Sequence, residues 1–455
     1  MIRTVKTEQI SSLLLALAVI SLLAYLFGAA ARRLGQPAVI GEIVLGVLLG
    51  PTVLSGVLSD TLFPVTIRPF LSALANVGIA LFMFTVGLDF DRRLIRGRRL
   101  VASTVAGGSI LLPFALGVAL AYYLLRGHPS NNHTAFVLFM GAAMSVTAFP
   151  VLARILTDRG LARTWLGSVA LACAAIDDVL AWTLLAGVVA ISGNAAGSEW
   201  LLLLAVPYAV IMVLVLRPAL RRLLAERPGA GPGGMLPIVV TLAGLLTSAA
   251  FTEWIGLHFI FGAFLFGAVM PRDAKATVMP HDARTAATGS GAIAGTATAV
   301  DDGPATALAT RIREFNGVLL LPIFFIVAGL NVDLSHLDAS GIVELVLILL
   351  VAVGGKFGGA FAGARLNRMR SRPAAALAVL MNTRGLTELI ILTVGLQLGV
   401  LDRDLYSYMV VMALVTTMMA GPLLSWIYPT AKAQAEDLSR EQARDTVLMP
   451  ATRRT

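Results

Sequence analysis

Two adjacent aspartates, Asp177 and Asp178, lie in the middle of an apolar segment long enough to cross a membrane, LACAAIDDVLAWTLLAGVV. A charged side chain at the centre of a bilayer costs about 2.5–3.5 kcal/mol, so two in succession indicate a function. An ionised carboxylate can bind a dehydrated cation and can take up a proton when that cation leaves. The pair therefore predicts an ion or proton site, and a hydrogen-bonded structural pair is the alternative.

A lysine is also expected at membrane depth. Lys356 lies within the apolar stretch LVAVGGKFGGAFAG, where an unpaired ammonium group would be costly. We therefore expect Lys356 to pair with one of the aspartates. If cation binding opens that pair, Lys356 becomes a proton carrier; a purely structural salt bridge is the other interpretation.

Five further polar residues fall inside predicted spans. Arg384 and Glu388 are four residues apart, so they share a helix face and can form an ion pair. A structural and a transport role are both open for them. Thr147 offers a hydroxyl to an ion, and Ser145 is a weaker candidate for the same role. Glu42 is interpreted as part of a vestibule or a subunit contact.

The composition places these residues in a multi-pass membrane protein. The 455 residues are 57% hydrophobic and 13% charged, and the mean hydropathy is +0.84. Apolar runs of about 20 residues recur along the chain, as in transmembrane helices. The single Cys173 excludes a disulfide framework, the histidines do not cluster, and no cofactor is expected.

Thirteen apolar stretches are predicted to cross the membrane: 10–31, 37–54, 70–88, 100–125, 134–157, 164–191, 200–216, 235–252, 255–271, 315–331, 341–363, 374–398 and 405–428. If the N-terminus lies outside, most of the 35 basic residues fall on cytoplasmic segments, as the positive-inside rule requires. The net charge of +9 is therefore interpreted as topology and not as a nucleic-acid surface. The first stretch is interpreted as a retained helix, with a signal peptide as the alternative.

Two pairs of segments indicate an internal repeat. IGEIVLGVLLGP resembles FIFGAFLFGAVMP, and LFMFTVGLDFD resembles IFFIVAGLNVD. The copies start seven helices apart, an odd number, so the second copy is inverted in the membrane. Inverted repeats are typical of secondary transporters, which bind substrate between them near the midplane. The membrane domain is predicted to cover 1–431 and the cytoplasmic tail 432–455. Within the membrane domain, the repeats cover about 37–191 and about 255–428, and a flexible cytoplasmic loop covers about 273–309.

The fourth helix of each repeat contains a predicted interruption. Pro150 breaks MSVTAFPVLARIL, and Thr383, Arg384 and Gly385 break MNTRGLTELIILTVG. An unwound centre leaves free carbonyl groups and opposed half-helix dipoles, which can hold ions. The predicted fold class is therefore an all-α membrane protein with two crossed broken helices.

The motifs GEIVLGVLLGP, SVTAFPVLARIL, AAIDDVLAW, FGAFLFGAVMP, LLLPIFFIVAGLNVDL and MNTRGLTELIIL occur in this order over about residues 36–400. As a set they resemble the second branch of the monovalent cation:proton antiporter superfamily, and most of all its plant-type cation/proton exchangers. The resemblance implies the sodium/proton antiporter fold, homodimers in a bacterial plasma membrane, and exchange of Na⁺ or K⁺ for H⁺ by alternating access. It aligns Asp178 with the ion-binding aspartate, Lys356 with the lysine of electrogenic members, and Thr147 with the polar residue at the first crossover.

Asp177 departs from the plant-type pattern, in which asparagine usually precedes the ion-binding aspartate. The resemblance to electrogenic members therefore implies that more protons than cations move in each cycle. Asp178 is accordingly the expected cation and proton site, and Asp177 is the expected partner of Lys356, at which the stoichiometry is decided. Plant-type members also carry large cytosolic regulatory domains, and nucleotide gating within this chain is not expected.

Other functions on the same sequence stay open at this point. A sodium-coupled organic-anion symporter could use the same fold, as could a channel-like potassium efflux system with a separate regulatory subunit. An intramembrane aspartyl protease is excluded, because its two aspartates must face each other across a peptide bond and adjacent residues of one helix cannot. The choice between Na⁺ and K⁺ is not decided by these residue types.

Overall fold

A computed structural model describes residues 7–52, 56–89, 99–130, 132–159, 161, 164–192, 204–225, 235–271, 304–335 and 337–429. Within these ranges the protein is helical. The helices are α1 (Thr7–Arg33), α2 (Ala38–Leu49), α3 (Val57–Leu62), α4 (Arg68–Asp89), α5 (Arg99–Leu124), α6 (His133–Ser145), α7 (Phe149–Asp158), α8 (Trp165–Ile191), α9 (Ala205–Ile211), α10 (Arg217–Ala225), α11 (Met235–Trp254), α12 (Phe259–Val269), α13 (Pro304–Phe315), α14 (Leu321–Leu330), α15 (Ala339–Leu366), α16 (Ser371–Met381), α17 (Leu386–Gln397) and α18 (Arg403–Ile427). Short π-helical turns, Met212–Leu216 and Asn316–Leu320, join α9 to α10 and α13 to α14.

A helix lies at each of the thirteen predicted spans. Of the described helices, eight stretches are long and apolar enough to cross a membrane, and the bent pair of α16 and α17 makes a ninth. Three shorter apolar helices, among them α2 and α12, fall below that length. The all-α membrane class is confirmed, whereas the count of thirteen spans stays a prediction. The predicted loop 273–309 lies almost entirely, and the predicted tail 432–455 entirely, outside the described residues.

The described residues form two compact units. The larger draws on Met1–Asn76, Asp91–Glu199 and Leu321–Thr455, and it contains both aspartates. The smaller draws on Val77–Phe90 and Trp200–Leu320. In the smaller unit, Gly262 of α12 packs directly on α11, where its carbonyl oxygen accepts a 2.6 Å hydrogen bond from the Ser248 hydroxyl.

Close packing of α5 against α15 organises the centre of the larger unit. Gly108 and Gly359 face each other so closely that a Cβ atom on either would overlap the carbonyl oxygen of the other. A Cβ atom on Gly363 would likewise overlap the carbonyl oxygen of Thr104. Small residues let two helix backbones approach in this way inside a membrane. Ser109 and Lys356, the neighbours of this contact, are thereby brought within reach of each other.

The first broken helix consists of α6 and α7, separated by three extended residues, Val146–Ala148. The sequence predicted that Pro150 interrupts this helix, but the residue does not lie in the break. It lies in the first turn of α7, where a helix has no need of the missing N–H group. The proline therefore marks the start of the second half-helix.

The second broken helix consists of α16 and α17, which bend by 42° at a break of four residues. The break covers 382–385, so Thr383, Arg384 and Gly385 lie where the sequence placed the interruption. A backbone hydrogen bond of 2.9 Å from the Ala148 N–H to the Thr383 carbonyl joins the two breaks. The two interruptions are therefore directly adjacent in the fold.

Candidate functional site

The aspartate pair is held by α8, the long helix beside the two breaks. Thr164 is the N-cap of α8, and its side chain accepts a 3.1 Å hydrogen bond from the Gly167 N–H. Asp177 and Asp178 follow about three turns later, and both are buried, with 0% and 5% of their surface exposed. Because they are neighbours on a helix, their carboxylates point in different directions and have different surroundings.

Asp177 belongs to a closed network of four buried side chains. The ammonium Nζ of Lys356 lies 2.9 Å from Asp177 Oδ2, 3.0 Å from Ser109 Oγ and 2.6 Å from Thr147 Oγ1. The Ser109 hydroxyl donates to Asp177 Oδ2 over 3.1 Å. The Thr147 hydroxyl lies 2.7 Å from the same oxygen and 2.9 Å from the Met381 carbonyl, and donates to one of them at a time.

The network compensates the charge of the lysine and that of the aspartate. All three ammonium protons of Lys356 have an oxygen acceptor, and Asp177 Oδ2 accepts from up to three donors. Such additional hydrogen bonds help to offset the cost of burying an ion pair. Lys356 and Asp177 therefore form a neutral unit within the membrane.

Asp178 has a different environment. Its carboxylate receives the backbone N–H of Phe149, the first residue of α7. The positive end of that half-helix dipole favours an anion at this position. Oδ1 of Asp178 is buried and has no hydrogen-bond partner within the described residues, and the same is true of Oδ1 of Asp177. Two carboxylate oxygens that can accept a cation therefore lie on adjacent residues.

A second buried ion pair lies at the second break, between Arg384 in the break and Glu388 in the first turn of α17. Arg384 and Glu388 are fully buried, and their side chains are 2.9 Å apart. The guanidinium group also donates to the carbonyl oxygens of Ala143 and Met144, each over 2.7 Å. These carbonyls belong to the last turn of α6, whose negative dipole end Arg384 therefore offsets.

Ser145 is not brought into the aspartate network. Its hydroxyl donates to the Ala142 carbonyl of its own helix over 2.8 Å, which is the ordinary use of a serine inside a helix. Glu42 of α2 lies near Gly28 of α1. Cys173 is buried, with its sulfur 3.6 Å from the Ala102 carbonyl.

Sequence reasoning missed Ser109. Its only signal is a hydroxyl beside two glycines in an apolar helix, AGGSILLP, and such serines commonly bond to their own helix. The close contact of Gly108 with Gly359 decides its role, because it places Ser109 against Lys356. The sequence separation of 247 residues hides that contact from any local pattern.

Comparison with protein families gives a match over residues 18–429 to the family described as "Sodium/hydrogen exchanger, transmembrane". The chain belongs to this family. The resemblance drawn from the motifs is thus confirmed, and the family consists of exchangers and not of enzymes.

Several characterised exchangers are similar in sequence. A Na⁺/H⁺ antiporter of Synechocystis, NhaS4, is 39% identical over 418 residues, which are 90% of this chain and 95% of the relative. Cation/H⁺ antiporter 20 of Arabidopsis thaliana is 36% identical over 94% of this chain and 50% of its own length. K⁺/H⁺ antiporter 1 of Saccharomyces cerevisiae is 32% identical over 91% of this chain and 45% of its own length. The chain thus spans about half of the plant and yeast exchangers.

The fold of this exchanger also matches a solved structure. The sodium proton antiporter MjNhaP1 of Methanocaldococcus jannaschii superimposes with a TM-score of 0.63, covering 94% of this chain and 99% of that one. The two sequences are 14% identical, so the likeness concerns the fold alone. The predicted sodium/proton antiporter fold is confirmed.

Proposed function

We propose that this chain exchanges Na⁺ or K⁺ for protons across the membrane by alternating access, and that Asp178 carries the cation and the proton in turn. The observation that carries the proposal is the difference between the two aspartates. Asp177 is already neutralised by Lys356, Ser109 and Thr147. Both aspartates keep a buried oxygen without a hydrogen-bond partner in the described part of the chain, but the ion pair with Lys356 involves Asp177 alone.

Membership of the exchanger family supports this assignment of function. The chemistry follows from charge. A cation on ionised Asp178 and a proton on the same carboxylate both give a neutral site, and a neutral site crosses the low-dielectric barrier at the lowest cost. An ionised Asp178 without a bound ion would carry a net charge. Access to the site therefore switches from one side of the membrane to the other only when a cation or a proton is bound. One-for-one competition at one carboxylate is therefore sufficient for exchange.

Asp177 and Lys356 decide the stoichiometry in this proposal. If the cation also recruits Asp177, Lys356 loses its counter-charge in a fully buried position and gives up its proton. Asp178 gives up a second proton, so two protons leave for one cation. The cation-loaded site then carries one negative charge and the proton-loaded site none, so one net charge moves per cycle, unlike the one-for-one exchange, in which both states are neutral. If Asp177 stays bound to Lys356, one proton leaves for one cation and the exchange is electroneutral. We favour the electrogenic cycle, because both carboxylates have a free oxygen on adjacent residues.

The remaining site residues have supporting roles in this proposal. Thr147 turns its hydroxyl to the cation when Lys356 moves away, since it already contacts Asp177 over 2.7 Å. Arg384 and Glu388 keep the end of α6 compensated throughout the cycle. Ser145 stays the weakest candidate ligand, because its hydroxyl is used within α6.

Topology and assembly belong to the same proposal. The positions of basic residues support an N-terminus outside and a C-terminus in the cytoplasm of a bacterial plasma membrane. We infer a homodimer, in keeping with large exposed apolar side chains along α1 such as Leu14, Leu15 and Leu22. Light scattering of the purified protein in detergent measures the assembly state, and a monomer at all concentrations contradicts the dimer.

The test of the exchange is proton flux in proteoliposomes that contain a pH-sensitive dye. An imposed Na⁺ or K⁺ gradient moves protons in the wild type, and Asp178→Asn abolishes this flux because asparagine binds neither proton nor cation strongly. Asp404→Asn is the matched control, because it is the same substitution at an exposed residue in the first turn of α18. Full exchange by Asp178→Asn contradicts the site assignment.

The same vesicles distinguish the competing functions. A symporter takes up Na⁺ only with an organic anion and moves no counter-flow of protons, and a channel-like efflux system conducts K⁺ regardless of the pH gradient. A membrane-potential dye reports the stoichiometry. Asp177→Asn is expected to keep exchange but to lose the potential signal; retention of both shows that Asp177 does not set the stoichiometry.

A further inference from the structure

A further cluster of charged groups lies apart from the two buried ion pairs. In this cluster one histidine contacts two carboxylates. His128 follows α5; its Nδ1 lies 2.5 Å from Asp402 Oδ2 and its Nε2 lies 2.8 Å from Glu344 Oε2. The side chains of His128 and Glu344 are 12% and 14% exposed, and that of Asp402 is 44% exposed. We call these three residues the histidine clamp.

The clamp connects three helices that hold the site. The His128 N–H donates to the Leu124 carbonyl over 2.9 Å, so its backbone continues the last turn of α5. Glu344 lies in the second turn of α15. Asp402 is the N-cap of α18 and accepts a 2.8 Å hydrogen bond from the Leu405 N–H. The imidazole therefore fixes the ends of α5, α15 and α18 relative to one another.

Each clamped helix contributes a residue to one of the two buried ion networks. Ser109 is on α5 and Lys356 is on α15, and they are 3.0 Å apart. Thr417 is on α18; its hydroxyl oxygen accepts a 3.2 Å hydrogen bond from the backbone N–H of Arg384. A shift of α15 against α5 therefore changes the Lys356 contacts directly, because the helices pack with no space between Gly108 and Gly359.

We propose that His128 is a positioning residue for the exchange, whose positive charge joins the ends of α5, α15 and α18, and that loss of this charge at alkaline pH loosens the Lys356 network. The inference rests on the proposed function for its effect on transport. When both ring nitrogens donate, each carboxylate receives a charge-assisted hydrogen bond. A neutral imidazole can donate from one nitrogen only, so one carboxylate then faces a nitrogen lone pair and is repelled.

The electrostatics agree with this geometry. Burial disfavours the charged imidazolium, but the hydrogen bonds and charges of Asp402 and Glu344 outweigh it and raise the pKa of His128 from its usual 6.5 to about 9. Burial also acts on Asp402, yet the hydrogen bond from His128 holds the pKa of that carboxyl below its usual range. The other charged or titratable residues on the loop after α5, and at the N-caps and first two turns of α6, α15 and α18, are Arg126, His133, Asp338, Arg403, Asp404, Tyr406 and Tyr408.

The test compares variants that fix the charge of the clamp. His128→Arg stays positive at every accessible pH, and its fork can reach both carboxylates. His128→Gln keeps hydrogen-bonding capacity but never carries a charge. Tracer ²²Na⁺ or ⁸⁶Rb⁺ exchange is measured in proteoliposomes with equal pH on both sides, from pH 7 to pH 10, so that no proton gradient drives the flux.

The protonated fraction of a group with a pKa of about 9 falls about tenfold between pH 8 and pH 10. We therefore expect wild-type exchange to lose up to about tenfold over this interval beyond the loss in His128→Arg. His128→Gln is expected to be slow already at pH 7. Identical alkaline profiles of wild type and His128→Arg overturn the proposal, as does a wild-type rate in His128→Gln.

A second readout separates this inference from the proposed function. The apparent melting temperature of the detergent-purified protein is measured over the same pH range, with Glu344→Gln as an additional variant in case a His128 variant does not fold. The wild type is expected to lose stability between pH 8 and pH 10, whereas His128→Arg is not. If the wild type shows the expected loss of stability with pH but no cation exchange, the proposed function is refuted and the clamp is not. If the melting temperature of the wild type does not change between pH 8 and pH 10, the clamp is refuted.

Discussion

The contact between Lys356 and Asp177 makes a sharp prediction about stability. Both side chains are fully buried, and their charged atoms are 2.9 Å apart. We consider Lys356→Met, which keeps an unbranched side chain of similar length without the charge, together with Asp177→Asn and the double variant. The single changes each leave one charge buried without its counter-ion, and the double change leaves none.

The structure sets the expected size of each effect. Removing one member of a buried ion pair costs about 3–5 kcal/mol, because the remaining charge has lost its compensation. Lys356→Met also removes the donor that Ser109 and Thr147 contact over 3.0 and 2.6 Å. The double variant keeps only the cost of hydrogen bonds that are no longer made, about 1–3 kcal/mol. It is therefore expected to be more stable than either single variant.

The assay is equilibrium unfolding in mixed micelles, titrated with a denaturing detergent and followed by circular dichroism. Arg68 and Asp60 provide the control, since they form an exposed ion pair of 2.5 Å with 39% and 68% of the side chains exposed. Removing either of them is expected to change stability by less than about 1 kcal/mol. If Lys356→Met costs no more than Arg68→Met, or if the double variant loses the sum of the single losses, the reasoning is refuted.

Three further predictions concern residues around the site. Because the pKa of His128 is raised to about 9, its contribution to stability is complete below about pH 6.5 and is lost as pH rises through about 9; it amounts to about 1–3 kcal/mol after allowance for solvent screening, and stability that does not change between pH 7 and pH 10 contradicts it. Arg384→Gln leaves the buried partner carboxylate and the end of α6 uncompensated and is expected to cost about 3–5 kcal/mol by the same micelle titration, with Arg384→Lys intermediate because lysine has no fork. Gly359→Ala forces α15 away from α5 and is expected to cost about 1–3 kcal/mol, whereas Gly354→Ala, whose added methyl meets no atom within 4 Å, is the neutral control.

Much of the fold could be predicted because the bilayer imposes simple rules on sequence. Backbone groups in a membrane must be satisfied within helices, so long apolar runs identify them without knowledge of their partners. The breaks were also visible, through Pro150 in one helix and Gly385 in the other. The position of the first break was off by a few residues, because proline suits the first turn of a helix as well as an interruption.

The sequence by itself determined that ionisable groups are buried at Asp177, Asp178 and Lys356, since a residue in the middle of a membrane-spanning apolar stretch must lie at membrane depth. Asp177 was the expected partner of Lys356, but only the tertiary structure places its carboxylate against the ammonium group, because adjacent residues differ by a rotation about the helix axis that packing fixes. It also recruited Ser109, through a contact of two glycines on helices far apart in the chain. The clamp at His128 has the same origin, because its carboxylates lie 216 and 274 residues away. Burial follows from composition, but pairing depends on the directions of side chains across packed helices.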